Sequence, residues 1–322
     1  MKAAIVTAAG KMPVYGDFQT PNAQAGEELI TVRASALSHF SKSRASGSHY
    51  SSGGVFPLVA GSDGVGITQD GRRVYFVLPD APFGALAEFC PVNSRRCIEL
   101  PDSLNDVTAA AIANPGMSAW AALVERAHLV AGETVLINGA TGTAGRLAVQ
   151  LAKYLGAAKV IATGRNMEEL EQLGADVVIP FTLGMLHPSG AKDYEEALKK
   201  VFASGIHVVI DYLWGESAKT IIVAIAKAVE DGTPVRFVHV GGSSGEENID
   251  LPGAALRSSA ILLMGSGVGS VPQSVLLQAI KNVFDAVQPA GLKIATTVVP
   301  LSKVEEVWDK APGKPRVVFS MK

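Results

Sequence analysis

The chain has 322 residues, 48% of them hydrophobic and 18% charged, with a formal net charge of −2. That length gives room for one large domain or two ordinary ones, each able to bury a core, and the composition excludes an intrinsically disordered chain. The charge balance argues against a nucleic-acid binder, which needs a basic face to displace counterions, and no apolar run approaches the roughly 18 residues of a membrane span.

In chain order, MKAAIVTAAG is too short in its apolar part for a secretory signal and reads as a first strand. Further short β-type runs follow at ELITVRASAL, VGITQD, RRVYFVL and AEFCPV, punctuated by Gly71, Pro79-Asp80 and Pro82, which points to a compact antiparallel unit. Cys90 and Cys97 are the only cysteines, too few for a disulfide framework, so reduced thiols and a cytoplasmic location are expected. Asn114-Pro115-Gly116 reads as a junction between domains, or as an ordinary loop. Beyond it the rhythm changes to strand–helix alternation. TVLINGA, KVIATG, DVVIP, HVVIDYL, VRFVHVGG and AILLMGSG read as buried parallel strands. RLAVQLAKYLG, MEELEQLG, DYEEALKKVFA and ESAKTIIVAIAKAVE read as the helices between them, and together they make a doubly wound sheet. FTLGMLHPSGAKD reads as a longer surface loop, and Gly265-Ser266-Gly267-Val268-Gly269 as a second junction. A helix around PQSVLLQAIKNVFDAVQ, a strand IATTVVP, a short helix SKVEEVWDKA and a last strand PRVVFSM close the chain.

The bend after the first parallel strand is Gly139-Ala140-Thr141-Gly142-Thr143-Ala144-Gly145, with alanine where the dinucleotide fingerprint G-x-G-x-x-G has its first glycine. Alone it is either a phosphate loop or a tight strand-to-helix connection. Within six alternating strands it favours the former, with Gly142 letting backbone approach a pyrophosphate and Gly145 letting the helix pack on the strand. The next strand ends at Gly164-Arg165-Asn166 with no acidic residue for a ribose hydroxyl, and Arg165 there suits a 2′-phosphate, hence NADPH. The plainer reading is a solvated arginine at a helix start.

These segments in this order resemble a medium-chain dehydrogenase/reductase, specifically the zinc-independent quinone oxidoreductase-like branch. The resemblance runs over nearly the whole chain: PLVAGSDGVGI and DGRRVYF, then NPGMSAWAAL, VLINGATGTAGRLAVQLAKYLGA and VIDYLWG. It implies an α/β fold with a Rossmann doubly wound parallel sheet and a GroES-like β-rich catalytic domain. The catalytic domain would span 1–122 and return at 268–322, with the NADPH-binding domain at 123–267. It further implies cofactor contacts from Ser118, Gly241, Gly242, Gly265, Ser266 and Gly267, a homodimer paired through AILLMGSG, and a small-molecule acceptor, a quinone or an enone.

Zinc-dependent relatives carry Cys in the segment matched by ALSHFS and His-Glu in that matched by GSDGVG; here Ser38 and Ser62-Asp63 stand there, and neither serine is a competent zinc ligand. No metal is expected. Many metal-free relatives have a G-V-N-x-x-D pattern where this chain reads Ala36-Leu37-Ser38-His39-Phe40-Ser41, so the family's substrate chemistry does not transfer directly. The oxyanion that forms when hydride arrives would be met by Ser38, His39 or Tyr50, with His39 serving either as a proton donor or as a phosphate contact. Two other functions are weighed. Gly241-Gly242-Ser243-Ser244-Gly245 matches the G-x-S-x-G elbow of serine hydrolases, but no helix pattern follows and all six histidines precede Ser243. A cofactor-binding sensor or structural protein without turnover stays open.

Overall fold

A computed structural model describes residues 1–47, 54–184, 186–309 and 315–321. The chain divides into two units. One holds Met1–Asn114, Lys281–Val287 and Lys293–Lys322; the other holds Pro115–Ile280 and Gln288–Leu292.

The first unit begins with strands β1 (Lys2–Val6), β2 (Val14–Asp17) and β3 (Glu27–Ala36), and helix α1 (His39–Ser46). Strands β4 (Leu58–Val59), β5 (Asp63–Ile67), β6 (Arg73–Val77), β7 (Phe89–Asn93) and β8 (Cys97–Glu99) follow. Helix α2 (Asp106–Trp120) then carries the chain into the second unit, where a wider helical turn, Ala121–Arg126, extends it. Asn114-Pro115-Gly116, read above as a junction or loop, therefore lies inside a helix. Pro115 removes one helical hydrogen bond, yet Ala109–Ala113 before it are wholly buried, and that packing outweighs the missing bond. Asp106–Arg126 is long and apolar enough to cross a bilayer by length and composition, but most of it is buried in protein, the pattern of a core helix.

The second unit alternates without a break: β9 (Thr134–Asn138), α3 (Thr143–Tyr154), β10 (Lys159–Gly164), α4 (Met167–Glu171), β11 (Val177–Pro180), α5 (Gly190–Phe202), β12 (Val208–Asp211), α6 (Gly215–Ala228), β13 (Pro234–His239), α7 (Gly253–Arg257) and β14 (Ala260–Gly265). All six strands pair in parallel, in the order β11-β10-β9-β12-β13-β14. Strands covered on both faces need continuous apolar runs, and Val135–Ile137 and Val208–Ile210 are wholly buried. The order reverses between β9 and β12, which is where a doubly wound sheet opens a crevice at its carboxyl edge.

Helix α8 (Gln273–Ala286), strand β15 (Thr296–Pro300), helix α9 (Val304–Val307) and strand β16 (Arg316–Ser320) end the chain. In the first unit's larger sheet, the order β15-β16-β3-β5-β6-β8 seats the last strand beside β3, and β7 also pairs with β3. A smaller sheet runs β2-β1-β4. Cys90 and Cys97 are unpaired; burial pushes both thiols up, Cys97 to about 11, so neither is a reactive thiolate.

Candidate functional site: a sheet edge and a buried hydroxyl chain

In the second unit the candidate positions gather at the carboxyl edge of the sheet. After β9 the chain turns at Gly139, whose φ of +80° is open to glycine. The N–H groups of Gly139 and Ala140 both donate to the Thr163 carbonyl at the end of β10. Ala140, in the place of a fingerprint glycine, is wholly buried and keeps a negative φ, so it fits without strain. Gly142 is the N-cap of α3, with no side chain capping that end and no acidic residue in its first turn. An uncapped N-terminus of a 12-residue helix leaves N–H groups and a positive dipole end for an anion. A Cβ on Gly145 would lie 2.4 Å from the Gly139 carbonyl oxygen, so the α3–β9 packing requires glycine there. Thr141, Thr143 and Ala144 complete this turn, and the Thr141 carbonyl accepts from Arg146 Nε at 3.1 Å.

The other positions stand along the same edge. Gly164 ends β10; Arg165 and Asn166 follow it and are exposed. Asn166 is committed to structure, its Oδ1 accepting the Glu169 N–H as the cap of α4. Arg165 makes no ion pair among the described residues. Gly241 and Gly242 follow β13, and Gly265, Ser266 and Gly267 close β14. An added Cβ at Gly242, Gly265 or Gly267 meets nothing within 4 Å, so this stretch of the edge is open. Ser266 is buried and its N–H donates to the His239 carbonyl at 2.8 Å. Ser118, on α2, lies beside the buried Tyr212 phenol, whose pKa burial raises.

A buried polar network absent from the motifs ties this edge together. Thr163 Oγ1 donates to Asn138 Oδ1 at 2.8 Å, and Asn138 Nδ2 donates to Asp211 Oδ1 at 2.8 Å and to Ser217 Oγ at 3.0 Å. Asp211 is fully buried and also accepts the Leu213 and Trp214 N–H groups and a bond from His239 Nδ1. Its only trace in the sequence is a polar residue at or next to the end of each of four apolar strands: Asn138, Thr163, Asp211 and His239.

In the first unit, Ser38 is the N-cap of α1. Its Oγ accepts from the Ser41 N–H and donates to Ser41 Oγ, each at 2.9 Å. Ser41 Oγ is 2.7 Å from Ser62 Oγ, Ser62 Oγ donates to Asp63 Oδ1 at 2.7 Å, and Tyr75 OH donates to Asp63 Oδ2 at 2.8 Å. All five residues are at most 5% exposed. Burial raises the Asp63 pKa, against the opposing effects of its two hydroxyl donors and the Arg316 guanidinium. Arg316 is itself buried, and its Nε and Nη2 have no hydrogen-bond partner among the described residues. His39, the first residue of α1, is exposed beyond this chain; partial desolvation and the nearby Lys42 and Arg316 cations lower its pKa. Tyr50 lies outside the described residues.

A family profile described as zinc-binding dehydrogenase matches residues 144–285. The probable NADPH-dependent quinone reductase tdiC of Emericella nidulans is 29% identical, over 98% of this chain and 98% of its own. The quinone oxidoreductase of Pongo abelii is 29% identical over 63% of this chain and 62% of its own. Among solved structures, a mycobacterial quinone oxidoreductase superposes with a TM-score of 0.83 at 20% identity, covering 99% of both chains. The quinone oxidoreductase of Thermus thermophilus, described with its NADPH complex, gives 0.79 at 22% identity, covering 100% of both. The chain is thus similar over its full length to quinone reductases, with the fold of the medium-chain dehydrogenase/reductase superfamily.

The likeness to those structures is one of fold, a Rossmann-type sheet and a separate β-rich unit. The zinc-binding profile does not extend to Ser38, Ser62 or Asp63. Among the described residues, no three His, Cys, Asp or Glu side chains form a group able to hold a metal. The hydroxyls at 38 and 62 are bonded into the chain that ends on Asp63. The hydrolase alternative needs a helix directly after its elbow, but from Ser243 the chain runs without a helix until α7 at Gly253.

Proposed function

We propose that the protein is an NADPH-dependent, zinc-independent reductase that delivers hydride to a quinone or to the β-carbon of an α,β-unsaturated carbonyl. The observation that carries this is the sheet edge: an uncapped α3 N-terminus over a glycine turn, with Arg165 exposed at the end of the neighbouring strand. The full-length likeness to a named NADPH-dependent quinone reductase supports an NAD(P)H oxidoreductase. Gly142, Thr143, Ala144 and Gly145 would hold the pyrophosphate and Arg165 the 2′-phosphate, and the dinucleotide supplies the hydride when bound. Ser38 is buried and spends its proton on Ser41, so its O–H is already committed. The cationic form of His39 is disfavoured by desolvation and by the nearby Lys42 and Arg316 cations, which lower its pKa. His39 therefore offers an N–H hydrogen bond, to phosphate or to a developing oxyanion, in preference to an acid proton. Steady-state oxidation of NADPH against a panel of quinones, enones and aldehydes tests the reading. Tight binding with no turnover on any of them would instead establish a sensor.

Cofactor choice is testable at one residue. A charge-assisted bond to phosphate contributes about 1.5–3 kcal/mol, so Arg165→Ala should weaken NADPH about 10- to 150-fold and leave NADH nearly unchanged. Equal losses for both would assign Arg165 to the fold alone.

We further propose a homodimer. Strand β14 ends the sheet with Leu262 and Leu263 51% and 42% exposed, and a bare apolar edge invites pairing. Joining two copies of β14 about a two-fold axis would cover both leucines. Sedimentation should show a dimer at micromolar concentration, converted to monomer by a Leu262→Lys/Leu263→Lys double substitution. A monomeric wild type rejects this.

A further inference from the structure

We propose that His239 is a cofactor-binding residue that reads the carboxamide of the nicotinamide ring, with Asp211 and Trp214 as the groups that position it. The inference rests on the NADPH reading above and adds a residue to it.

Three observations converge on this side chain. The first is its partner. His239 Nδ1 lies 3.1 Å from Oδ2 of Asp211, a fully buried residue one strand over and in register with it. A carboxylate only accepts, so Nδ1 carries a proton, and in the neutral ring Nε2, on the far side, is left as an acceptor. The side chain is 36% exposed, and its Nε2 has no hydrogen bond among the described residues. The second is how firmly the ring is held. It packs against the Trp214 ring with centroids 4.4 Å apart and the two planes tilted by 41°. Trp214 has φ +64° and ψ −158°, a region essentially reserved for glycine. Its N–H reaches both Asp211 oxygens, at 3.2 and 3.1 Å, so one carboxylate fixes the strained backbone and the imidazole together. Such strain persists only where the surroundings over-determine it, and it clusters at ligand sites.

The third is location. A dinucleotide lies across the switch point with its pyrophosphate at the first glycine turn. The 2′-phosphate-reading end of β10 puts the adenosine half over β9-β10-β11, which leaves the nicotinamide half over β12-β13-β14. His239 ends β13, between Asp211 on β12 and Gly265 on β14, and Gly242 and Gly265 near it have open space. The nicotinamide half carries one neutral amide, whose N–H suits an imidazole acceptor. A histidine needed only for packing would not require a buried carboxylate to orient its outer nitrogen.

The test compares wild type, His239→Ala and His239→Asn by calorimetric binding of three probes: NADPH, its 3-acetylpyridine analogue, and adenosine 2′,5′-bisphosphate. His239→Asn can keep a donor toward Asp211 while losing the ring that carries the outer nitrogen, so it holds the test open should the alanine variant misfold. Both variants should bind NADPH about 2- to 12-fold more weakly, the worth of one neutral hydrogen bond. Neither should change the bisphosphate, which has no nicotinamide, nor the acetylpyridine analogue, whose methyl ketone has no N–H to offer. Unchanged NADPH affinity, or equal losses on all three probes, overturns the assignment while leaving the NADPH reading intact. A wild type that binds neither NADPH nor the bisphosphate overturns both.

Discussion

Asp63→Ala is expected to destabilise the protein by about 3–5 kcal/mol, the cost of leaving a buried charge without its counterpart. Asp63 and Arg316 are both nearly inaccessible, and each acts on the other electrostatically in the first unit. Two further groups lose an acceptor when Asp63 goes, the Ser62 hydroxyl and the Tyr75 phenol. Phe284 packs edge-on against Tyr75 at 5.5 Å and closes that side of the cluster, so water has little room to replace the carboxylate. The decisive comparison is the double variant Asp63→Ala/Arg316→Met. Removing both charges together is commonly neutral or better, so most of the loss should return. Urea denaturation of the single and double variants measures it; a single substitution costing under about 1 kcal/mol would show that the pair carries little.

Gly145→Val should cost stability and weaken NADPH binding together. The new Cβ would sit 2.4 Å from the Gly139 carbonyl oxygen and 2.7 Å from Ala140 Cα, both backbone atoms that cannot step aside. Helix α3 must back away from β9, at about 1–3 kcal/mol for overpacking, carrying its first-turn N–H groups off the phosphate position. A displacement of this kind is enough to lower productive binding about 100-fold. Gly142→Ala separates the two effects. Its φ is −68° and an added Cβ comes no nearer than 3.4 Å to the Gly139 carbonyl oxygen, so the fold should hold. A methyl group there crowds only the face offered to phosphate, and NADPH affinity should fall with the unfolding midpoint unchanged. If Gly142→Ala binds NADPH like wild type, phosphate does not approach at this turn.

The parallel sheet is legible in the sequence because strands covered on both faces must be apolar throughout, and runs such as HVVID and TVLIN show it in single segments. The glycine turn is legible for a similar reason, since close approach of helix and strand leaves no residue choice at Gly145. Helix α1 is not. HFSKSRAS has no apolar stripe; the helix depends on the Ser38 cap at one end and Gly47, at φ +80°, at the other. Asn114-Pro115-Gly116 does mark the passage between the two units, but inside a helix and not in a loop, because a proline's local preference says nothing of the burial that surrounds it. His239 reads as an ordinary core histidine, since its meaning comes from Asp211 and Trp214, neither adjacent to it in sequence. The hydroxyl chain is half visible: Ser38 and Ser62 stand out as departures from metal ligands, but their linkage through Ser41 to Asp63 needs the fold.

The seat of β16 between β15 and β3 bears on the order of events during synthesis. The six strands of the parallel sheet come from one uninterrupted stretch, Thr134–Gly265, and can pair as soon as that stretch has left the ribosome. The β-rich unit begins first and ends last. Its long strand β3 precedes the parallel sheet in the chain, yet it cannot gain its neighbour β16 until Arg316–Ser320 have been made. Until then Asp63 is without Arg316, and the edge of β3 is open to wrong pairing. Nascent chains released short of Arg316 should therefore carry a protease-resistant parallel sheet on a protease-sensitive amino-terminal segment.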